Sequence, residues 1–123
     1  MKKIRIKWPR GELTAALSAT ETASAVLAAL PAKARANTWG DEVYFALPVS
    51  VKLESDAREV VDPGTVCFWV QGSSLALPFG RTPASHGDEC RLVTRVNVLG
   101  KIEGDPRALA SVRDGDPIEV ALA

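Results

Sequence analysis

Histidine occurs once in these 123 residues and cysteine twice. Cys67 and Cys90 form no CxxC pair, and His86-Gly87-Asp88-Glu89-Cys90 offers one imidazole and one thiol, far short of a zinc ligand set. No metal site and no cofactor are expected. Neither sign of charge is in excess: 15 basic residues face 15 acidic ones. A nucleic-acid partner, which needs a basic surplus, is not expected. No apolar run approaches the ~20 residues that span a bilayer, so no membrane partner is expected either. Lys2-Lys3 could open a signal peptide, but Arg5, Lys7 and Arg10 interrupt any apolar region after it. Reduced thiols and a cytoplasmic location are the expectation. Two local motifs also fall away. Gly72-Ser73-Ser74 lacks the lysine and following helix of a phosphate loop. Ser85-His86-Gly87-Asp88 is contiguous, whereas a catalytic triad is assembled across a fold.

The stretch from Val61 to Pro83 is the centre of what remains. Asp62-Pro63-Gly64 is a turn, since proline presets φ and glycine accepts a left-handed backbone. Thr65 to Val70 is continuously β-branched, aromatic or apolar, as in a strand covered on both faces. Gln71 to Ser74 breaks it, Leu75 to Phe79 is a second apolar run, and Gly80-Arg81-Thr82-Pro83 ends that one. Phe68 and Trp69 are neighbours in one strand and point to opposite faces. One of them therefore faces outward and needs a helix, a ligand or a partner to cover it.

Around this centre the chain alternates. Ile4, Ile6 and Trp8 share a face, then Leu13, Ala15 and Leu17, which predicts an N-terminal hairpin across Pro9-Arg10-Gly11. Thr20 to Leu30 is predicted as the longest helix, capped by Ser18 or Thr20, with Ala23, Val26, Leu27 and Leu30 as one apolar stripe and Pro31 as its stop. Lys33–Trp39 and Glu42–Leu47 read as strands across Gly40-Asp41, and Val49, Val51 and Leu53 continue with period two. Asp41-Glu42 reads as a solvated pair at that turn. Glu54 to Asp62 reads as charged loop, and Leu92 to Ile102 as a long strand. Asp105-Pro106 starts a short helix, and Ile118, Val120 and Leu122 form the last strand. One mainly β domain over residues 1–123 is expected, with about eight strands closed into a barrel so that no edge is left bare.

Gly64-Thr65-Val66-Cys67-Phe68-Trp69, Gly72-Ser73-Ser74-Leu75-Ala76-Leu77-Pro78-Phe79 and Leu99-Gly100-Lys101-Ile102-Glu103-Gly104 resemble the central segments of cyclophilins. Trp39-Gly40-Asp41-Glu42-Val43-Tyr44-Phe45, Gly80-Arg81-Thr82-Pro83 and Val98 to Ile102 resemble segments of small prokaryotic cyclophilin-like proteins of uncharacterised function. The resemblance runs from about Lys3 to Val120. It implies a closed eight-stranded cyclophilin-like barrel with one amphipathic helix and one short helix. It also exposes a departure. Where cyclophilins carry the arginine that polarises the substrate peptide group, Phe45 stands if Pro48 matches the proline of their motif. The Val43–Leu47 stretch holds no cation.

The expected function is therefore binding of a small molecule or short peptide in a cleft at the barrel mouth. Tyr44, Trp69, Gln71, Phe79, Arg81, Thr82 and His86 are the expected ligand-binding residues, with Arg81 as the anchor for an anionic or carbonyl group. No catalytic residue is assigned. The alternatives are a peptidyl-prolyl isomerase with a displaced catalytic group, and an interaction protein that self-associates, for example as a homodimer.

Overall fold

Ile4, Ile6 and Trp8 are buried while Lys3, Arg5 and Lys7 are exposed, so the first alternation becomes β1 (Lys2–Trp8). Its hairpin partner β2 (Gly11–Leu17) sets Leu13 opposite Ile6 and Ala15 opposite Ile4. The computed structural model describes residues 2–123. Next comes α1 (Glu21–Ala28), capped by Thr20, whose hydroxyl accepts from the Ala23 amide at 3.0 Å. The helix stops two residues earlier than the stripe predicts, yet Leu27 and Leu30 still pack on the core beside buried Ala23 and Val26.

β3 (Ala32–Arg35) and β4 (Asn37–Thr38) are two halves of one run, parted only at Ala36. The Ala36 amide donates to the Asp116 carbonyl and its carbonyl accepts from Gly115, so the break costs no hydrogen bonds. β3 pairs with β10 (Pro117–Leu122), and β4 pairs with β5 (Glu42–Ala46). The remaining strands are β6 (Arg58–Val61), β7 (Thr65–Trp69), β8 (Ser74–Pro78) and the 14-residue β9 (Cys90–Glu103). Around the ring the order is β3, β10, β1, β2, β9, β7, β8, β5, β4, and all the pairings are antiparallel. Because β3 and β4 are consecutive in the chain, the ring is a nearly closed barrel. A 3-10 helix, Pro106–Ser111, is capped by Asp105 and buries Leu109 completely. Trp8 ties to it through a 2.8 Å bond from its indole nitrogen to Ser111 Oγ.

Two expectations fail locally. Among the described residues nine strands form rather than eight, counting β3 and β4 as one, because β6 arises within the stretch read as loop. It lies off the ring, pairing with the first half of β9 from Val96 down to Cys90. Only Val61 of β6 is buried, so no apolar alternation marks it. Conversely, Val49 to Leu53 forms no strand. Its backbone is held by a side chain instead: Asn97 donates to the Lys52 carbonyl at 2.9 Å and accepts from the Glu54 amide at 2.8 Å.

The alternation of the ring strands sorts apolar side chains into two cores. Val43, Phe45, Val66, Phe68, Leu75, Leu77 and Leu99 fill the barrel interior. On the outer wall Cys67 and Ala76 meet Val61, Cys90, Leu92 and Val96, with Tyr44, Trp69 and Val98 at the margin. The first half of β9 and β6 thus lie over the outside of β7 and β8. That is why both central strands are apolar on both faces.

Candidate functional site

The outer layer does not cover the wall completely. Between the first half of β9 and the edge of β5 lies a cleft of about 180 Å³, lined by Trp39, Glu42, Tyr44, Trp69, Leu92, Val93 and Val96. Each arrives for a local reason. Glu42 and Tyr44 are two apart on β5 and share the outward face, while Val43 and Phe45 point into the barrel. Trp69 ends β7 on the outward side, and Phe68 beside it is wholly buried inside. Trp39 precedes the turn into β5, where its amide donates to the Glu42 carbonyl at 3.0 Å. Leu92 and Val96 form the floor on the β9 side, and Val93 is an exposed rim residue.

The aromatic wall is ordered. Tyr44 and Trp69 meet edge to face, with ring centroids 5.9 Å apart and planes at 88°. Trp69 also lies over Gly72, where any Cβ would run into its six-membered ring. The glycine therefore lets the indole turn back onto its own loop and hold one position.

Glu42 is the anomaly. Its side chain is only 6% exposed, and its Oε1 has no hydrogen-bond partner. Burial pushes its carboxyl up to about 7. The thiols nearby stay protonated. Burial first, then the charges of Glu42 and Cys90, push Cys67 above the ordinary thiol range. Burial also lifts Cys90 to about 11, a Gly80 backbone bond opposes it, and Glu42, Asp41 and Asp62 add to the rise. Neither cysteine is a nucleophile in this setting. Among the described residues no three His, Cys, Asp or Glu side chains stand together as a metal would need.

Of the residues expected around one cleft, Tyr44 and Trp69 do meet there. The cleft they share lies on the outer wall, not at the barrel mouth. Phe79 is half-buried against the interior core and lines a separate cavity at the barrel end with Leu109 and Val112. Gln71, Arg81 and His86 are exposed and are not among the residues lining the cleft. Thr82 is buried, but its hydroxyl is consumed: it donates to the Arg91 carbonyl and accepts from the Ala84 amide. The loop closes on itself further through Ser85 Oγ, which donates to the Glu89 carbonyl at 2.6 Å. Glu89 is its hub. The His86 and Gly87 amides and Arg91 Nε all donate to its carboxylate, and they hold it down at about 2. The polar cluster is a folded knot in which Arg81 and His86 contribute backbone rather than side-chain bonds.

Glu42, Trp39 and the β9 residues were missed by the sequence reading. The signal for Glu42 was its two-residue offset from Tyr44, obscured by its place beside Asp41 at a turn. Phe45, the residue set against the cyclophilin arginine, is fully buried in the barrel interior. Among the described residues no cation lines the cleft.

Residues 2–121 match the family model described as cyclophilin-like. The solution structure of a hypothetical protein from Archaeoglobus fulgidus superposes with a TM-score of 0.85 at 37% sequence identity, covering 99% of this chain and 95% of that one. No curated protein matches.

Proposed function

The chain belongs to the cyclophilin-like family, and we propose that it works as a binding module that holds a small ligand, or part of a short peptide, in the outer-wall cleft. The observation that carries this reading is the Tyr44–Trp69 pair, fixed edge to face above a floor of Leu92 and Val96. Large apolar rings left half-buried in a concave setting, on two rigid layers, are what a ligand site requires. The alternative of a peptidyl-prolyl isomerase lacks support on the same wall. A preorganised cationic donor is needed to stabilise the twisted peptide group, and the charged side chain on the cleft lining is a carboxyl.

A thermal-shift screen of small aromatic and aliphatic fragments tests the proposal. Fragments that raise the melting temperature of the wild type are expected to lose that effect in Trp69→Ala. Fragments that stabilise both proteins equally would place binding elsewhere and overturn it.

A further inference from the structure

Resting on the reading of the cleft as a binding site, we infer that its ligand presents a protonated amine to Glu42, with an apolar body against Tyr44, Trp69 and Trp39. Three observations converge. Glu42 is more than nine-tenths buried, lines the cleft, and leaves its buried Oε1 unpaired. A buried acceptor with no donor is costly, and few such groups are retained without a use. Second, among the described residues no lysine, arginine or histidine lines the cleft and none forms an ion pair with Glu42, although Arg113 lines the barrel-end cavity that Glu42 also borders. Arg91, on the same strand as the cleft floor, is already engaged by Glu59 at 2.7 Å and Glu89 at 2.9 Å. Third, the walls are three aromatic residues, whose π faces attract a cation and repel an anion.

The other chemistries fit less well. An anionic head would meet Glu42, and Asp41 and Asp62 add to the negative field felt at neighbouring Cys90. A bare metal ion would find a single carboxyl on the cleft lining. A primary ammonium is small, brings three donors, and forms charge-assisted bonds with a carboxylate. The titratable groups that feel the charge of Glu42 are Cys67 on β7 and Cys90 on β9, and Asp41 precedes it in the chain. Both thiols remain neutral at physiological pH, so Glu42 is the group that changes charge there.

The test compares four probes on the intact chain by calorimetric or NMR titration at pH 8. They are 2-phenylethylamine, the matched neutral 2-phenylethanol, the anion 3-phenylpropanoate, and lysine blocked at both ends. The amine is expected to bind at least ~10-fold more tightly than the alcohol, and the anion more weakly than either. Glu42→Gln is expected to erase the preference, so that the amine binds no more tightly than the alcohol. Between pH 8 and pH 6 the amine should weaken roughly tenfold as Glu42 takes up a proton, and the alcohol should not change. A blocked lysine that matches or exceeds phenylethylamine assigns the ammonium to a peptide side chain, and a weaker one assigns it to a free amine; both support ammonium recognition. Equal affinity for amine and alcohol, or a preference that persists in Glu42→Gln, overturns the inference and leaves the cleft standing as a site. If none of the probes binds, or their binding survives Trp69→Ala, the cleft reading itself fails and takes the inference with it.

Discussion

Glu42 is destabilising where it stands, and that gives the carboxyl a signature independent of any ligand. The folded state holds its proton up to about 7, against an ordinary value of 4.5. Between those two values the folded chain binds more protons than the unfolded one, so stability falls as pH rises through this window. Well above pH 7 the full cost is present, about 3 kcal/mol. Glu42→Gln should therefore raise the melting temperature at pH 8 and change it little at pH 4, as read by paired thermal melts. A variant that is less stable at pH 8 would mean that the carboxylate has a partner. Gly72→Ala makes a second prediction. Its Cβ collides with the Trp69 ring, so the indole must leave its place. Fragment binding should be lost along with about 1–3 kcal/mol of stability, and retained binding would show that the ring position is not needed.

The strands and the helix divide by how their hydrogen bonds are satisfied. β1, β2 and α1 follow their apolar periodicity because each buries one face against the interior. β7 and β8 announced themselves as covered on both sides, and the outer core of Cys67, Ala76 and Leu92 is that cover. The sequence did not reveal what supplies it. β6 buries one residue of four, and the pairing that makes it a strand is with a distant segment. Val49 to Leu53 had the alternation of a strand, but Asn97 takes its backbone groups instead. A single polar residue inside the barrel is invisible to periodicity. Asn97 also donates to Thr22 Oγ1 at 2.9 Å, and Thr22 in turn donates to Glu54. Asn97→Ala should leave these buried groups unpaired and cost about 2–4 kcal/mol in a denaturant melt. Thr20→Ala, which removes only a cap, should cost about 1 kcal/mol. If the two substitutions cost the same, the network is not holding the segment.

At the scale of the molecule, the resemblance and the alternation both led to a β barrel, and the barrel is there. The candidate site was half legible. Trp69 was marked by the rule that neighbouring strand residues face opposite ways, and Tyr44 only as an aromatic residue able to line a cleft. Glu42, Trp39 and the β9 wall were not, because they come together only when β9 runs past the ring and lies over its outside. Arg81 and His86 drew attention as polar residues on a loop, but it is Glu89 that organises that loop, through bonds to backbone amides that no spacing rule announces. No helix among the described residues is long and apolar enough to cross a membrane. A chain with Phe45 set against the cyclophilin arginine, and with no cation among the described residues lining its outer cleft, should show no turnover above background in a coupled assay on an X-Pro peptide. Turnover near cyclophilin levels would restore the isomerase reading. The most direct test of the central claim is a methyl-detected NMR titration of leucine- and valine-labelled protein with a fragment that raises its melting temperature. Binding in the outer-wall cleft predicts that the methyl signals of Leu92, Val93 and Val96 move together and saturably, while those of Leu75, Leu77 and Leu109 stay still. Shifts confined to the barrel end around Leu109 and Val112 would contradict it.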